Sequence, residues 1–175
     1  VSHVVIALGS NIAPGANLRE AVQRLAARVH LIAVSPVYET KPVGKTDQPN
    51  FLNAAALIET QRGAAELKDQ VLSEIEQELG RTRTADKNAP RTIDLDITLY
   101  GDQVFDYGGR HIPDPDLLAY PHVAVPAADV APTYRHPETG QTLYEIADGM
   151  PKDGLLRRTD LRLWDTEAPG NPPRR

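Results

Sequence analysis

Residues 92–100 read TIDLDITLY, and their strict alternation decides how the rest of the chain is read. Side chains on a strand alternate between faces. Ile93, Leu95, Ile97 and Leu99 therefore share one face, which calls for a covering layer, and Asp94 and Asp96 share the other. Gly101-Asp102 reads as a tight turn into a short return strand at 103–105. On the N-terminal side, residues 64–79 form a long helix with Leu67, Val71, Ile75 and Leu79 on one face and Gly80 as its stop. Residues 51–60 (FLNAAALIET) and 31–40 (LIAVSPVYET) read as strands, with Pro36 suited to an edge or a bulge. Asn17 and Glu20 resemble a capping box that opens a helix carrying Leu18, Val22, Leu25 and Val29. Residues 3–8 (HVVIAL) are a buried strand ending at Gly9-Ser10-Asn11.

The resulting order, β-α-β-β-α-β, is the split βαβ arrangement. It predicts an α+β, ferredoxin-like sandwich: an antiparallel sheet with helices mainly on one face and the other face free for a ligand. Beyond Asp106 the chain is Pro-rich, with short helical or strand pieces near Ala127 and Leu143. A single domain over 1–165 and a flexible tail over 166–175 are expected.

Composition narrows the function classes. The 175 residues carry 19 basic and 24 acidic side chains, a net charge of -5, which argues against bulk nucleic-acid or anionic-membrane binding. There are no cysteines, so neither a disulfide framework nor a zinc-thiolate site is available. No apolar run approaches the ~20 residues of a membrane span, and a cytoplasmic protein is expected.

Asp94 and Asp96 stand about 7 Å apart on an open face, at about 3.4 Å per residue. Two such acids on an isolated strand are more often simply solvated than metal-bound. The neighbours alter that balance. Arg81, Arg83, Lys87 and Arg91 crowd the loop just before the strand, and guanidinium forks match phosphate oxygens two at a time. Mg²⁺ favours one or two carboxylates together with substrate phosphates. A basic loop that closes over polyphosphate beside a metal-binding pair is the expectation. Gly44-Lys45-Thr46 imitates the end of a P-loop, but the preceding glycine is missing, because position 39 is Glu. Phe51 and Asn53 lie two apart, hence on one strand face, where a ring could stack on a flat heterocycle and an amide read its edge. The five histidines show no metal-ligand spacing.

These segments together resemble the 6-hydroxymethyl-7,8-dihydropterin pyrophosphokinase family of folate biosynthesis. The matching pieces are residues 7–11 (ALGSN), 35–40 (SPVYET), 48–54 (QPNFLNA) and, most specifically, 89–97 (APRTIDLDI). The resemblance implies a Mg²⁺-dependent transfer of pyrophosphate from ATP to the pterin hydroxymethyl group, giving the pterin diphosphate and AMP. It further implies that Asp94 and Asp96 hold two Mg²⁺ ions. Arg81 and Arg91 would contact the phosphates and stabilise the transferring group, with Arg83 assisting. Glu76 would lie near the nucleotide and Ile97 would line the adenine pocket. Asn53 and the backbones of Thr40, Pro42 and Val43 would read the pterin, with Phe51 and His122 stacking on it. Asn88, Asp114 and Tyr120 depart from residues common in the family (Trp, His and Arg). A monomer, with ATP and the pterin as its partners, is expected.

Two other readings use parts of the same pattern. A different Mg²⁺-dependent phosphoryl or nucleotidyl transferase would keep the acids but have no use for Phe51 and Asn53. A non-catalytic ferredoxin-like binding module would have no use for the acids and arginines clustered at 81–96.

Overall fold

The computed structural model describes residues 1–44, 46–81 and 90–164. The elements begin β1 (Ser2–Ser10), α1 (Pro14–Arg28), β2 (His30–Val34), β3 (Val37–Thr40) and β4 (Phe51–Thr60). A continuous helix follows, built from α2 (Ala64–Leu67), a π-helical turn (Lys68–Leu72) and α3 (Ser73–Glu78), and then β5 (Asp94–Tyr100). The main sheet runs β5-β1-β4-β3, with β2 also pairing β4, and every pair is antiparallel. This is the expected split βαβ order. Pro36, which lacks an N–H, divides the second strand into β2 and β3. Ser35 keeps the break tied to β4: its N–H donates to Ala55 O (2.9 Å) and its Oγ accepts from Ala55 N (2.8 Å).

One face of the sheet packs against the two long helices. Val4, Ile6, Leu8, Ala56, Ile58, Leu95 and Ile97 meet Leu18, Val22 and Leu25 of α1 and Leu67, Leu72 and Ile75 of the second helix. These side chains are essentially inaccessible to solvent. Each large one contributes roughly 1.5–3 kcal/mol by leaving water, which is what holds the sheet against the helices.

The opposite face is only partly open. Val5, Ala55 and Leu99 are covered by Ala124 and Ala127 of α5 (Pro121–Val130) and by Leu143, Ile146 and Ala147 of α6 (Leu143–Asp148). The sequence expectation placed Leu99 with Ile97, and here the structure differs. Ile6 pairs Ile97 but Val5 pairs Leu99, so Thr98 is an extra residue in β5. A bulge interrupts the period of two and moves the following side chain to the other face. Thr98 Oγ1 donates to Val5 O at 2.9 Å and secures the kink.

Three other elements depart from expectation. Helix α1 starts at Pro14, three residues before Asn17, because proline suits the first helical position. Asn17 is thus inside the helix, and its Nδ2 donates back to Ile12 O at 2.6 Å in place of a capping box. The return strand at 103–105 does not form. Gln103 N closes a turn on Tyr100 O (3.1 Å), and β6 (Phe105–Tyr107) pairs instead with β7 (Arg110–Ile112) in a separate two-stranded sheet. After the short helix α4 (Asp116–Ala119), α5 and α6, strand β8 (Leu156–Arg158) adds to the free edge of β3. Residues 166–175, expected as a tail, lie outside the described residues. Among the described residues no helix is long and apolar enough to cross a membrane.

Candidate active site

A cavity of about 310 Å³ opens on the part of the sheet that α5 and α6 leave uncovered. Its floor is nearly flat because Ala7 and Gly9 of β1 present almost no side chain there. One wall holds Phe51 and Asn53 of β4, with Thr40 at the end of β3 and Lys41 and Val43 beyond it. Phe51 pairs Thr40, and Asn53 sits between Gly9 and Tyr38 in the ladder. Asn53 Nδ2 donates to Thr40 Oγ1 at 2.9 Å, which fixes the amide plane. The other wall holds Asp94, Asp96 and Thr98 of β5 together with Asp114, Asp116, Tyr120 and His122. Tyr120 and His122 stack with centroids 5.2 Å apart and planes at 30°. Flat π surfaces thus face the cavity from two sides. Burial holds the His122 imidazole below its usual range, which favours the neutral ring.

The junction leading into β5 is tied to the end of β1. Asn11 accepts from Arg91 N through Oδ1 (2.9 Å), and its own N–H donates to Arg91 O (3.1 Å). Asn11 Nδ2 also reaches Gln48 Oε1 at 2.7 Å and Pro49 O at 3.1 Å, joining the loop before β4 to the loop before β5. Arg91 lies over the Phe51 ring at 5.5 Å, a cation–π contact that links the two walls.

Asp94 and Asp96 share the open face, as alternation requires, and each carries its own cations. Asp94 Oδ1 is 2.9 Å from Arg81 Nη1, and its Oδ2 is 2.9 Å from Arg91 Nη1. Asp96 Oδ1 is 2.7 Å from Arg110 Nη1 and 3.6 Å from Lys68 Nζ. The two acids titrate as a pair. Burial pushes Asp94 up, but Arg81, Arg91 and Lys68 outweigh it and hold the group below its ordinary range. Burial and the charge of Asp94 together push Asp96 up, to about 6, against Lys68 and Arg110.

β5 is an edge strand, so its outer backbone groups need partners. Side chains of the second helix, and of the residue just beyond it, provide them. Glu76 Oε2 accepts from Leu95 N at 3.0 Å, Lys68 Nζ donates to Leu95 O at 2.6 Å, and Arg81 Nη1 donates to Ile93 O at 2.8 Å. Glu76 is 2% exposed and also sits 3.3 Å from Lys68 Nζ and 3.6 Å from Arg81 Nη1. It organises the cations behind the strand.

Of the residues singled out from sequence, Thr40, Val43, Phe51, Asn53, Arg91, Asp94, Asp96 and His122 all line this cavity. Arg81 reaches it through Asp94. Pro42 is buried between the lining residues Lys41 and Val43. Ile97 does not line it: its side chain is packed in the helical core, 1% exposed, because it alternates with the acids. Arg83 and Asn88 lie outside the described residues. Lys68 and Arg110 were not singled out. Neither stands in a local motif with the acids: they are 28 and 14 positions along the chain from Asp96.

Among the described residues no three His, Asp or Glu side chains converge as a metal cage. Two carboxylates facing a cleft with room for further oxygens are nonetheless the donor set that suits Mg²⁺, which keeps waters and takes phosphate oxygens.

Comparison with known proteins agrees with this architecture. A sequence model described as 7,8-dihydro-6-hydroxymethylpterin-pyrophosphokinase matches residues 5–132. A 2-amino-4-hydroxy-6-hydroxymethyldihydropteridine pyrophosphokinase of Pseudomonas aeruginosa is 38% identical over 161 residues, covering 90% of this chain and 97% of that protein. One of the same description from Haemophilus influenzae is 39% identical, covering 72% of this chain and 79% of its own length. The fold resembles the crystal structure of Plasmodium falciparum HPPK-DHPS with a TM-score of 0.64 at 14% identity. That match covers 90% of this chain and 47% of the longer one.

Proposed function

The chain belongs to the 7,8-dihydro-6-hydroxymethylpterin-pyrophosphokinase family, and from that premise we propose how its cleft performs the reaction. The activity is transfer of pyrophosphate from ATP to the hydroxymethyl group of 6-hydroxymethyl-7,8-dihydropterin, in folate biosynthesis. The hydroxymethyl oxygen bonds to the β-phosphorus, the bond from that phosphorus to the α,β-bridging oxygen breaks, and AMP departs with that oxygen. The hydroxyl proton passes to solvent.

Our reading assigns the pterin to the aromatic side of the cavity, against Phe51 and His122. Asn53, locked by Thr40, offers its remaining amide capacity to the heterocycle's edge. The triphosphate belongs to the other wall, where Arg81 and Arg91 supply guanidinium groups already held by Asp94. Arg83 is assigned the same kind of contact, and the Ile97 backbone a place near the adenine. Asp94 and Asp96 are the ligands we assign to Mg²⁺, two ions in number, which would neutralise charge on the transferred and leaving groups. The protein's own contribution is positioning and charge complementarity in a partly water-excluded cleft. Residues 1–165 are taken as one domain acting as a cytoplasmic monomer, a reading that sedimentation of the purified chain checks for the oligomeric part.

The single observation that carries this assignment is that Asp94 and Asp96 share one cavity with Phe51 and Asn53. The deciding experiment measures AMP formed from ATP and 6-hydroxymethyl-7,8-dihydropterin across a Mg²⁺ series. Folded protein that releases no AMP at any Mg²⁺ concentration would overturn the reading.

A further inference from the structure

Lys68 is a residue that neither the motif pattern nor the family resemblance singled out. It begins the π-helical turn, whose defining i→i+5 bond runs from Ser73 N to Lys68 O. In a regular α-helix, residues eight apart differ by about 80° around the axis at about 100° per residue. The extra residue of the π-turn removes about 100° of that progression and lines Lys68 up with Glu76. It also lets both Val71 and Leu72 stay buried. The price of an irregular helix is thus met by packing, and the polar outcome is an ammonium group brought round the edge of β5.

The Lys68 side chain is 14% exposed, and its ammonium has three partners: Leu95 O at 2.6 Å, Glu76 Oε1 at 3.3 Å and Asp96 Oδ1 at 3.6 Å. The first two anchor it from behind the strand, and the third is on the open face. Arg110 approaches the same Asp96 oxygen, but from the β6–β7 hairpin and with 43% of its side chain exposed. Its guanidinium therefore keeps more rotational freedom than a buried group, while Asp114 Oδ2 still holds its Nη2 at 3.2 Å. Lys68 is held by a backbone carbonyl and a buried carboxylate and has no comparable freedom.

We propose that Lys68 is a positioning residue that acts as a resident counter-ion of Asp96, competing with a divalent cation for that carboxylate until nucleotide phosphates arrive. The inference rests on the assignment of Asp94 and Asp96 as metal ligands. In the substrate-free protein a dication at Asp96 must sit close to a fixed ammonium, and like charges at that separation weaken its binding. Phosphate oxygens add negative charge, offset the repulsion and complete the coordination shell. Metal entry is thereby coupled to nucleotide entry by a residue that need not touch either substrate.

The test is Mn²⁺ binding followed by electron paramagnetic resonance, with and without α,β-methylene-ATP, on the full chain. Lys68→Gln keeps a donor for Leu95 O and Glu76 while removing the charge; Lys68→Met removes both, and Lys68→Arg retains the charge. Circular dichroism and urea melts check that each variant is folded. Removing the charge should tighten Mn²⁺ binding without nucleotide roughly tenfold, shrink the enhancement produced by the nucleotide analogue, and leave Lys68→Arg close to wild type. A purely structural role would weaken Mn²⁺ binding in Lys68→Gln or leave it unchanged, and either result overturns the proposal. Asp96→Asn is titrated in parallel. If it binds Mn²⁺ as wild type does, the metal assignment itself fails. If it weakens binding while Lys68→Gln does not tighten it, only the role of Lys68 fails.

Discussion

Arg110 Nη1 lies 2.7 Å from Asp96 Oδ1, although the two residues belong to different sheets. The β6–β7 hairpin delivers the arginine, and Asp114 steadies it, with Oδ2 3.2 Å from Arg110 Nη2. Asp114 is itself held by accepting from Asp116 N at 2.9 Å and by donating its own N–H to Thr98 O at 2.8 Å. Position 114, where the family resemblance leads to the expectation of a histidine, here carries the support of an arginine. A hydrogen bond to a charged group contributes about 1.5–3 kcal/mol, so Arg110→Ala should lower kcat/KM for ATP roughly 10- to 100-fold. Asp114→Asn should cost less, and its effect should largely vanish in an Arg110→Ala background. Steady-state kinetics on the two single variants and the double variant measure that coupling.

Asp94→Ala and Asp96→Ala should each reduce AMP formation by about 10³-fold or more, since metal-assisted charge stabilisation supplies several kcal/mol. Chelation with EDTA should have the same effect on wild type, and added Mg²⁺ should reverse it. Wild-type-like turnover in both variants would remove the metal assignment.

Glu76 should matter for folding more than for binding. Replacing it with Ala leaves Leu95 N without its acceptor and two half-buried cations, Lys68 and Arg81, without their shared carboxylate. Breaking a buried charge network by removing one partner costs about 3–5 kcal/mol. Urea denaturation of Glu76→Ala should show that loss, and Glu76→Gln, which keeps an acceptor for Leu95 N, should lose less.

Phe51→Ala and Asn53→Ala should weaken pterin binding, measured by pterin fluorescence in the presence of an ATP analogue. Loss of an aromatic stacking partner costs about 0.5–1.5 kcal/mol beyond its area, so Phe51→Ala should raise the pterin Kd at least several-fold while barely moving nucleotide affinity.

His136 gives stability a pH dependence of known sign. It is 1% exposed, and its Nδ1 accepts from Glu138 N (3.2 Å) and Thr139 N (3.3 Å), which requires a neutral ring. Burial holds it below the usual histidine range. The unfolded chain therefore binds the extra proton first as pH falls. The stabilisation is present above about pH 6.5, the unfolded value, and is lost as pH drops through the lower folded value. Thermal melts at pH 5.5 and 8 should show a fall that shrinks in His136→Leu.

Much of the site was legible because it rests on local periodicity. Asp94 and Asp96 share a face through alternation alone, as do Phe51 and Asn53, and Arg81 and Arg91 both precede β5 in the chain. The bulge at Thr98 was not legible, because a two-residue period carries no mark of where it slips. Leu99 could join either core, and only the packing of α5 and α6 against Val5 and Ala55 decided which.

By itself, then, the sequence determined the element order, the split βαβ sheet and the acid pair beside its arginines, since each follows from spacing along one strand or helix. Tertiary structure alone decided which cations meet which carboxylate. Lys68 reaches Asp96 because a π-turn rotates it around a sheet edge, and Arg110 reaches it because β6 pairs with β7 rather than returning along β5. Both contacts join segments whose relative placement is set by burial of distant apolar faces, and no local pattern records that outcome.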